Sequence, residues 1–223
     1  MTASIKDRLL DAAEHLFAEK GFDEVSVREL AAAADANVAA VNYHFQGKDN
    51  LYNEVISRRF SIQRDRTLNA LQKVLSGTHG QPPLEAVISA FVGEYLDGAL
   101  SNSFLTIVTR DMHTANAETL ARFFREMISP LYAAFSKALV AARPGLSRDD
   151  LSWIIASVIG QMHHFILRRI KFKCCANVAD LRQMMTAAFP SLELDHDEYV
   201  RQTTDHIARF SSAAIHGMYP EEK

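Results

Sequence analysis

The chain has 223 residues, 48% of them hydrophobic, and a formal net charge of −3, a composition that excludes a disordered or fibrous protein. Charged residues interrupt every apolar window near the N-terminus, so we expect neither a signal peptide nor a membrane span, and a cytoplasmic protein. The two cysteines, Cys174 and Cys175, are adjacent, which excludes a disulfide framework. We expect two thiols near a helix end, with a redox pair or half of a metal site as the alternative.

Helix signals run along the whole chain. Apolar residues recur every three or four positions, no segment of useful length alternates with the strand period, and the predicted fold class is all-α. Helix starts are predicted where a capping side chain precedes an acid by three residues, at Ser4, Ser26, Ser147, Asn177 and Asp195. We predict helices over residues 4–20, 27–34, 38–44, 48–75, 84–100, 104–113, 118–142, 148–172, 178–188 and 196–217.

Pro130, with Ser129 before it, interrupts the seventh predicted helix. A capped helix that restarts there and a kink in a continuous helix are both open.

The predicted helices 27–34 and 38–44 are too short to be stable alone, so packing must hold them. The first helix has an apolar stripe, against which residues of both short helices complete a three-helix core. Four consecutive alanines, Ala31 to Ala34, let the two short helices cross closely. This pattern is typical of a helix-turn-helix, whose second helix enters a major groove. The alternative is a three-helix surface without a role in DNA binding.

The outward face of helix 38–44 carries residue types that read DNA. Asn42 can bond adenine with both amide atoms, and Tyr43 and His44 can donate to phosphates or bases. Lys48 begins the next helix, where its ammonium and the backbone amides can converge on one phosphate. The other members of this surface are the cap Asn37, the small apolar residues Val38 and Ala39, and the flanking Ser26 and Arg28.

Three segments, "AAEHLFAEKGF", "SVRELAAAA" and "YHFQGKDNLY", resemble in order and spacing the motifs of the TetR family, the tetracycline-repressor-like regulators. The resemblance implies a helix-turn-helix DNA-binding domain over residues 1–47, a helical ligand-binding and dimerisation domain over 48–223, and a homodimer. Residue by residue, it places the DNA contacts on Ser26, Arg28, Asn37, Val38, Ala39, Ala40, Asn42, Tyr43, His44 and Lys48.

Two positions depart from the family pattern. Asp35 stands where the family turn usually has glycine, and aspartate tolerates a left-handed backbone less well. Asn42 stands where an aromatic residue is common, so the base preference of better-known members does not carry over. Further along, "LSWIIASVIGQMHHFILRR" is similar to a segment of CecR-like TetR regulators, a subgroup associated with drug and small-molecule responses.

The first sixty residues hold seven basic and ten acidic side chains. A general basic patch is therefore excluded, and DNA affinity must come from positioned contacts and from dimerisation. We expect weak non-specific binding with a modest dependence on salt.

The predicted helix 148–172 is apolar around most of its circumference, so we expect one face to cover its own core and the other an identical subunit. With the last helix it would form a four-helix dimer bundle, unless both helices are internal. The predicted interface residues are Val158, Met162, Phe165, Ile207 and Phe210.

A small-molecule effector, hydrophobic or aromatic, is implied by the resemblance. Aromatic residues and methionines with a few polar groups are its predicted contacts, although each is individually as readily a core or surface residue. The predicted ligand-binding residues are Phe91, Tyr95, Arg110, His113, Phe124, Met127, Trp153 and Gln161.

We expect no cofactor, metal or catalytic activity. The neighbouring His163 and His164 point about 100° apart on a helix and rarely bind one ion together, and no catalytic constellation occurs. The predicted function is a ligand-responsive transcriptional repressor that binds a palindromic DNA operator as a homodimer and is released by its effector, without a membrane partner. The alternatives are an enzyme acting on a hydrophobic substrate and a helical protein-binding adaptor that has lost DNA binding.

Overall fold

The computed structural model describes residues 4–78, 80–101, 121–175 and 178–220, and this part of the chain is helical without strands, which confirms the all-α fold class. A π-helical turn, Phe124–Ile128, precedes α6, and a 3-10 turn, Pro190–Glu193, connects α8 to α9. The helices are α1 (Ile5–Lys20), α2 (Val27–Ala33), α3 (Val38–Phe45), α4 (Lys48–Gly77), α5 (Leu84–Ser101), α6 (Ser129–Ala142), α7 (Arg148–Cys174), α8 (Ala179–Ala188) and α9 (His196–Met218).

Side-chain caps start several helices where the sequence predicts them. The Ser26 hydroxyl accepts from the Glu29 amide, and the Glu29 carboxylate accepts from the Ser26 amide at 2.9 Å, which closes a capping box. Ser147 and Asp150 form the same box at α7. Single caps start α1 and α9, at Ser4 and Asp195.

Pro130 lies in the first turn of α6, directly after the π turn. No side chain caps α6, and Ile128 before it has helical backbone angles (φ −67°, ψ −49°). The chain therefore passes from the π turn into α6 as one continuous helix, without a cap from Ser129. The predicted helix 104–113, the start of helix 118–142 and the cap Asn177 lie outside the described residues.

One compact unit comprises Met1–Ile62 and Asn102–Met127. Its described core joins α1, α2, α3 and the first half of α4 through buried apolar side chains. Phe17 packs edge-on against Tyr52, with ring centroids 5.2 Å apart. The predicted domain boundary between residues 47 and 48 stays a prediction. The buried residues of this core include Leu9, Ala13, Phe17, Leu30, Val41, Phe45 and Leu51.

The second compact unit comprises Gln63–Ser101 and Ile128–Lys223. Helix α5 lies along α9 and also packs on α6 and α7. Cys174 ends α7 and Cys175 follows it, both as free thiols. Within the described ranges, no helix combines the length and apolarity needed to cross a membrane.

Candidate nucleic-acid interface

Helix α3 has one buried and one exposed face. Val41 and Phe45 are 0% and 2% exposed and anchor the helix in the core. On the outer face Tyr43 is 84% exposed, and Ala39 and Asn42 are exposed beside it. Buried and exposed residues alternate with the helical period, so the outer face of α3 is available to a partner. Of the other predicted contacts in α3, Val38 is exposed, and Ala40 and His44 are half-buried.

The start of α3 is fixed by Asn37, whose side-chain oxygen accepts from the Ala40 amide at 2.8 Å. At its other end Gln46 adopts a left-handed backbone with φ of 60°, and Gly47 follows with φ of 137°. These two residues turn the chain sharply into α4, which begins at Lys48. Only these two residues separate the end of α3 from the N-terminus of α4.

Lys48 is held in place by aromatic rings. Its Nζ lies 4.2 Å from the ring centroid of Phe22, a cation–π contact. Phe22 in turn packs against Tyr52, with centroids 4.9 Å apart. The first amides of α4 have no acceptor within the helix, so Lys48 and these amides offer a phosphate both charge and donors.

Ser26 and Arg28 lie at the start of α2, and both are exposed. Hydrogen bonds from the Ser26 amide and from Lys20 lower the pKa of Glu29 to about 2, and the Lys20 ammonium lies 3.0 Å from its carboxylate. The Ser26 hydroxyl already donates to Glu29 at 2.9 Å. It would have to leave this partner to donate to a phosphate, whereas Arg28 needs no such exchange.

The basic side chains of the first unit differ in whether they form ion pairs with carboxylates. Among residues 4–62, Arg28 and Lys48 make no ion pair with a carboxylate, and Arg8 donates to backbone carbonyls instead. The other cations are paired with acids, in the pairs Lys6–Glu54, Lys20–Glu29, Arg58–Asp11 and Arg59–Glu14. Although the unit carries more acids than bases, the cations beside α3 keep their charge for an external anion.

The predicted ligand-binding residues of α5 and the π turn occupy different environments. Phe91 is buried and stacks on Phe135, with centroids 4.0 Å apart. Tyr95 is half-buried, and burial raises its pKa to about 12. Phe124 is 52% exposed, whereas Met127 is 1% exposed. Phe91 and Met127 serve as core residues of their units, and their role toward a ligand stays a prediction.

The remaining predicted ligand-binding residues lie on α7 or outside the described residues. Trp153 is 72% exposed, and Gln161 donates to the Ser211 hydroxyl at 3.1 Å. Arg110 and His113 lie outside the described residues. The role of this set toward a ligand stays a prediction.

The predicted dimer residues divide between the interior and the surface of the second unit. Val158, Met162 and Ile207 are at most 1% exposed in the single chain, which argues against their direct contact with a partner. Phe165 is half-buried. Phe210 is 60% exposed, so it lies on the outer face of α9.

Sequence reasoning missed Arg8, whose guanidinium donates to the carbonyl oxygens of Ala34 and Asp35 at 3.0 Å each. No local pattern could reveal this contact, because its partners are 26 and 27 residues away in the chain. It also missed the exposed apolar residues of α8, among them Met184 at 69% exposure. Among the described residues, no three potential metal-binding side chains cluster.

The anchored α3 with its exposed outer face defines a helix-turn-helix protein with a second helical unit. Residues 9–55 match the family model for bacterial regulatory proteins of the tetR family. The match covers the three motifs that resemble this family. The CecR-like subgroup stays a prediction.

Similar proteins carry the names of regulators. The chain is 46% identical over 57 residues to the HTH-type transcriptional regulator YttP of Bacillus subtilis, covering 26% of this chain and 28% of that protein. It is 33% identical over 52 residues to the biofilm operon icaADBC HTH-type negative transcriptional regulator IcaR of Staphylococcus aureus, covering 23% and 28%. The chain thus matches little more than a quarter of the length of these curated relatives.

A solved structure extends the similarity of fold over most of the chain. The TetR family transcriptional regulator PfmR from Thermus thermophilus aligns with a TM-score of 0.59 and 20% identity, covering 91% of this chain and 98% of that one. At this identity the comparison establishes the shared fold and nothing further.

Proposed function

We propose that this protein is a DNA-binding transcriptional regulator, and not an enzyme, that reads an operator with the outer face of α3. The observation that carries the proposal is the exposed strip of Ala39, Asn42 and Tyr43 on α3. Two cations on the helices before and after α3 in the chain, Arg28 of α2 and Lys48 of α4, make no ion pair with a carboxylate among residues 4–62. An amide reads base edges, and such cations bind phosphates.

A homodimer would place two copies of α3 in successive major grooves of a palindrome, about 34 Å apart. The support for dimerisation is the exposed apolar surface of α7 and α9, where Trp153, Leu167 and Phe210 are 72%, 41% and 60% exposed. Large apolar residues exposed on neighbouring helices mark an interaction surface. Binding by two DNA-binding units of a dimer would also compensate for the low DNA affinity of one unit with few unpaired cations.

Repression relieved by a small hydrophobic effector is the mode of action that we propose. The relative IcaR is named a negative regulator, and the CecR-like segment of α7 favours a response to small molecules. Helix α4 is continuous from Lys48 to Gly77, so it belongs to both compact units. An effector would act only through a difference in its affinity for the DNA-binding state and the released state.

Selection of bound duplexes from a random DNA pool tests the proposal. The wild-type protein should enrich a palindrome, and Tyr43→Ala combined with Lys48→Ala should abolish the enrichment. A matched control, Tyr132→Ala with Lys137→Ala, removes the same two side-chain types from α6 and should leave the palindrome unchanged. Equal loss in both double variants would contradict the role of α3.

The salt dependence of binding separates the phosphate contact from base reading. Lys48→Ala should lower the slope of log affinity against log salt by roughly 2 for a dimer, since each phosphate contact contributes about 0.9. Asn42→Ala should reduce affinity for the selected palindrome and leave this slope unchanged. A wild-type protein that enriches no sequence at low or moderate salt would favour the adaptor function.

A further inference from the structure

The turn between α2 and α3 has the hydrogen bonds of a Schellman motif. The Ala36 amide donates to the Ala31 carbonyl at 2.9 Å, and the Asp35 amide donates to the Ala32 carbonyl at 3.2 Å. Such a motif places one residue in the left-handed region, usually glycine. Here that residue is Asp35, with φ of 47°, and a side chain makes this conformation less favourable than it would be for glycine.

Arg8 binds this turn from α1. Its Nε donates to the Ala34 carbonyl and its Nη2 to the Asp35 carbonyl, both at 3.0 Å. These carbonyls follow the last turn of α2, where the helix leaves acceptors without intrahelical donors and where a positive charge is favoured. One planar guanidinium therefore satisfies two consecutive carbonyls at the left-handed conformation.

We call Arg8 and the carbonyls of Ala34 and Asp35 the clamp. Because the clamp lies on the turn before α3, it affects the direction of α3. Only Ala34 to Asn37 separate the end of α2 from the first residue of α3. The backbone angles of these residues therefore set the direction of α3. Arg8 is itself fixed, because the next residue of α1, Leu9, is 0% exposed in the core.

We propose that Arg8 is a positioning residue for DNA reading: it holds Asp35 in the left-handed conformation that aims α3 at the major groove. The inference rests on the proposed DNA-binding function. Arg8 acts through the backbone of the turn, so a residue that adopts the left-handed conformation more readily should reduce the need for it. Glycine at position 35 is that residue.

The test compares Arg8→Met with Arg58→Met, using the duplex that the wild-type protein selects from a random pool. Both variants lose one positive charge, and the partner of Arg58 is the Asp11 carboxylate at 2.7 Å and not a carbonyl of the turn. Arg8→Met should bind this duplex about tenfold more weakly than Arg58→Met, because each subunit loses the two charge-assisted hydrogen bonds that hold the turn before α3. Adding Asp35→Gly to Arg8→Met should restore most of the affinity, and Arg8→Lys, which keeps one donor group, should fall between.

Amide hydrogen exchange measures the clamp without DNA. Arg8→Met should speed exchange at the amides of Asp35 and Ala36 and leave the Gly21 amide, which ends α1, unchanged. Equal affinity of Arg8→Met and Arg58→Met, or a loss that Asp35→Gly does not recover in a folded protein, would overturn the inference. Exchange that is unchanged at both turn amides would also overturn it. A wild-type protein that selects no duplex refutes the proposed function, while the exchange experiment still decides whether the clamp exists.

Discussion

Replacing Gly98 by alanine tests a close contact between α5 and α4 in the second unit. A methyl group built on Gly98 of α5 would lie 1.5 Å from Oε1 of Gln63 and 2.5 Å from its Cδ. Gln63, on α4, is 7% exposed. Its Nε2 donates to the Glu94 carbonyl at 2.8 Å and to the Thr67 hydroxyl at 3.3 Å. The alanine methyl and this amide cannot occupy the same space, so the amide must leave both partners.

The magnitude follows from the groups that lose their partners. An amide that stays buried without hydrogen bonds costs about 1–3 kcal/mol, and alanine in place of a helical glycine returns about 1 kcal/mol. We expect a net loss of up to about 2 kcal/mol in the free energy of unfolding. For a chain of this size the melting temperature should fall by up to about 8 °C.

Urea and thermal unfolding followed by circular dichroism measure this loss. The matched control is Gly93→Ala on the same helix, where an added methyl would meet Thr204 at 3.5 and 3.6 Å, ordinary van der Waals distances. Gly93→Ala should leave stability unchanged or raise it by up to about 1 kcal/mol. Adding Gln63→Ala to Gly98→Ala should cost less than the two single losses together. The reasoning fails if Gly98→Ala is as stable as Gly93→Ala.

Two further predictions concern the capping boxes. Hydrogen bonds from the Ser26 amide and Lys20 lower the pKa of Glu29 to about 2 from 4.5, so the charge of Glu29 stabilises the fold above pH 4.5, and this contribution disappears as the pH falls toward 2. In urea titrations, the stability difference between Glu29→Gln and wild type should therefore narrow as the pH falls across that range. A difference that stays constant would contradict the lowered pKa of Glu29. Ser147→Ala removes the capping hydroxyl that pairs with Asp150 and should lower the free energy of unfolding by about 1 kcal/mol. Ser147→Thr keeps the capping oxygen and should lose less than half of that in the same unfolding assay.

The parts of the fold that follow from local signals could be predicted from the sequence. Capping residues such as Ser26 and Ser147 predict helix starts from the sequence, because the capping side chain and the amide that it accepts from lie only three residues apart. The family turn usually has glycine at the position of Asp35, which indicates a left-handed backbone there, and the φ of Asp35 is positive. The contacts of Arg8 could not be predicted, since their partners are 26 and 27 residues away in the chain.

The orientation of α7 shows a second limit of sequence reasoning. When apolar residues surround a helix, periodicity identifies two apolar faces and does not say which one is inside. Val158 and Met162, predicted to contact a partner, face the core of their own chain. Trp153, predicted to contact a ligand, is 72% exposed. Only the packing of α5, α7 and α9 distinguishes the two faces.

The proposed DNA-reading surface belongs to a unit with more acids than bases, so its binding would depend on the placement of its contacts more than on charge. Most cations of residues 4–62 are neutralised by carboxylates, so the long-range attraction to DNA is small and non-specific binding should be weak. Contacts from α3 must then supply most of the preference for an operator. A donor and an acceptor that are moved beyond hydrogen-bond distance contribute nothing to this preference. A change that tilts α3, such as loss of Arg8, should therefore harm binding more than loss of a paired surface cation such as Arg58. In a strongly basic head the order would be less certain, because electrostatic attraction would retain the protein on DNA in either case.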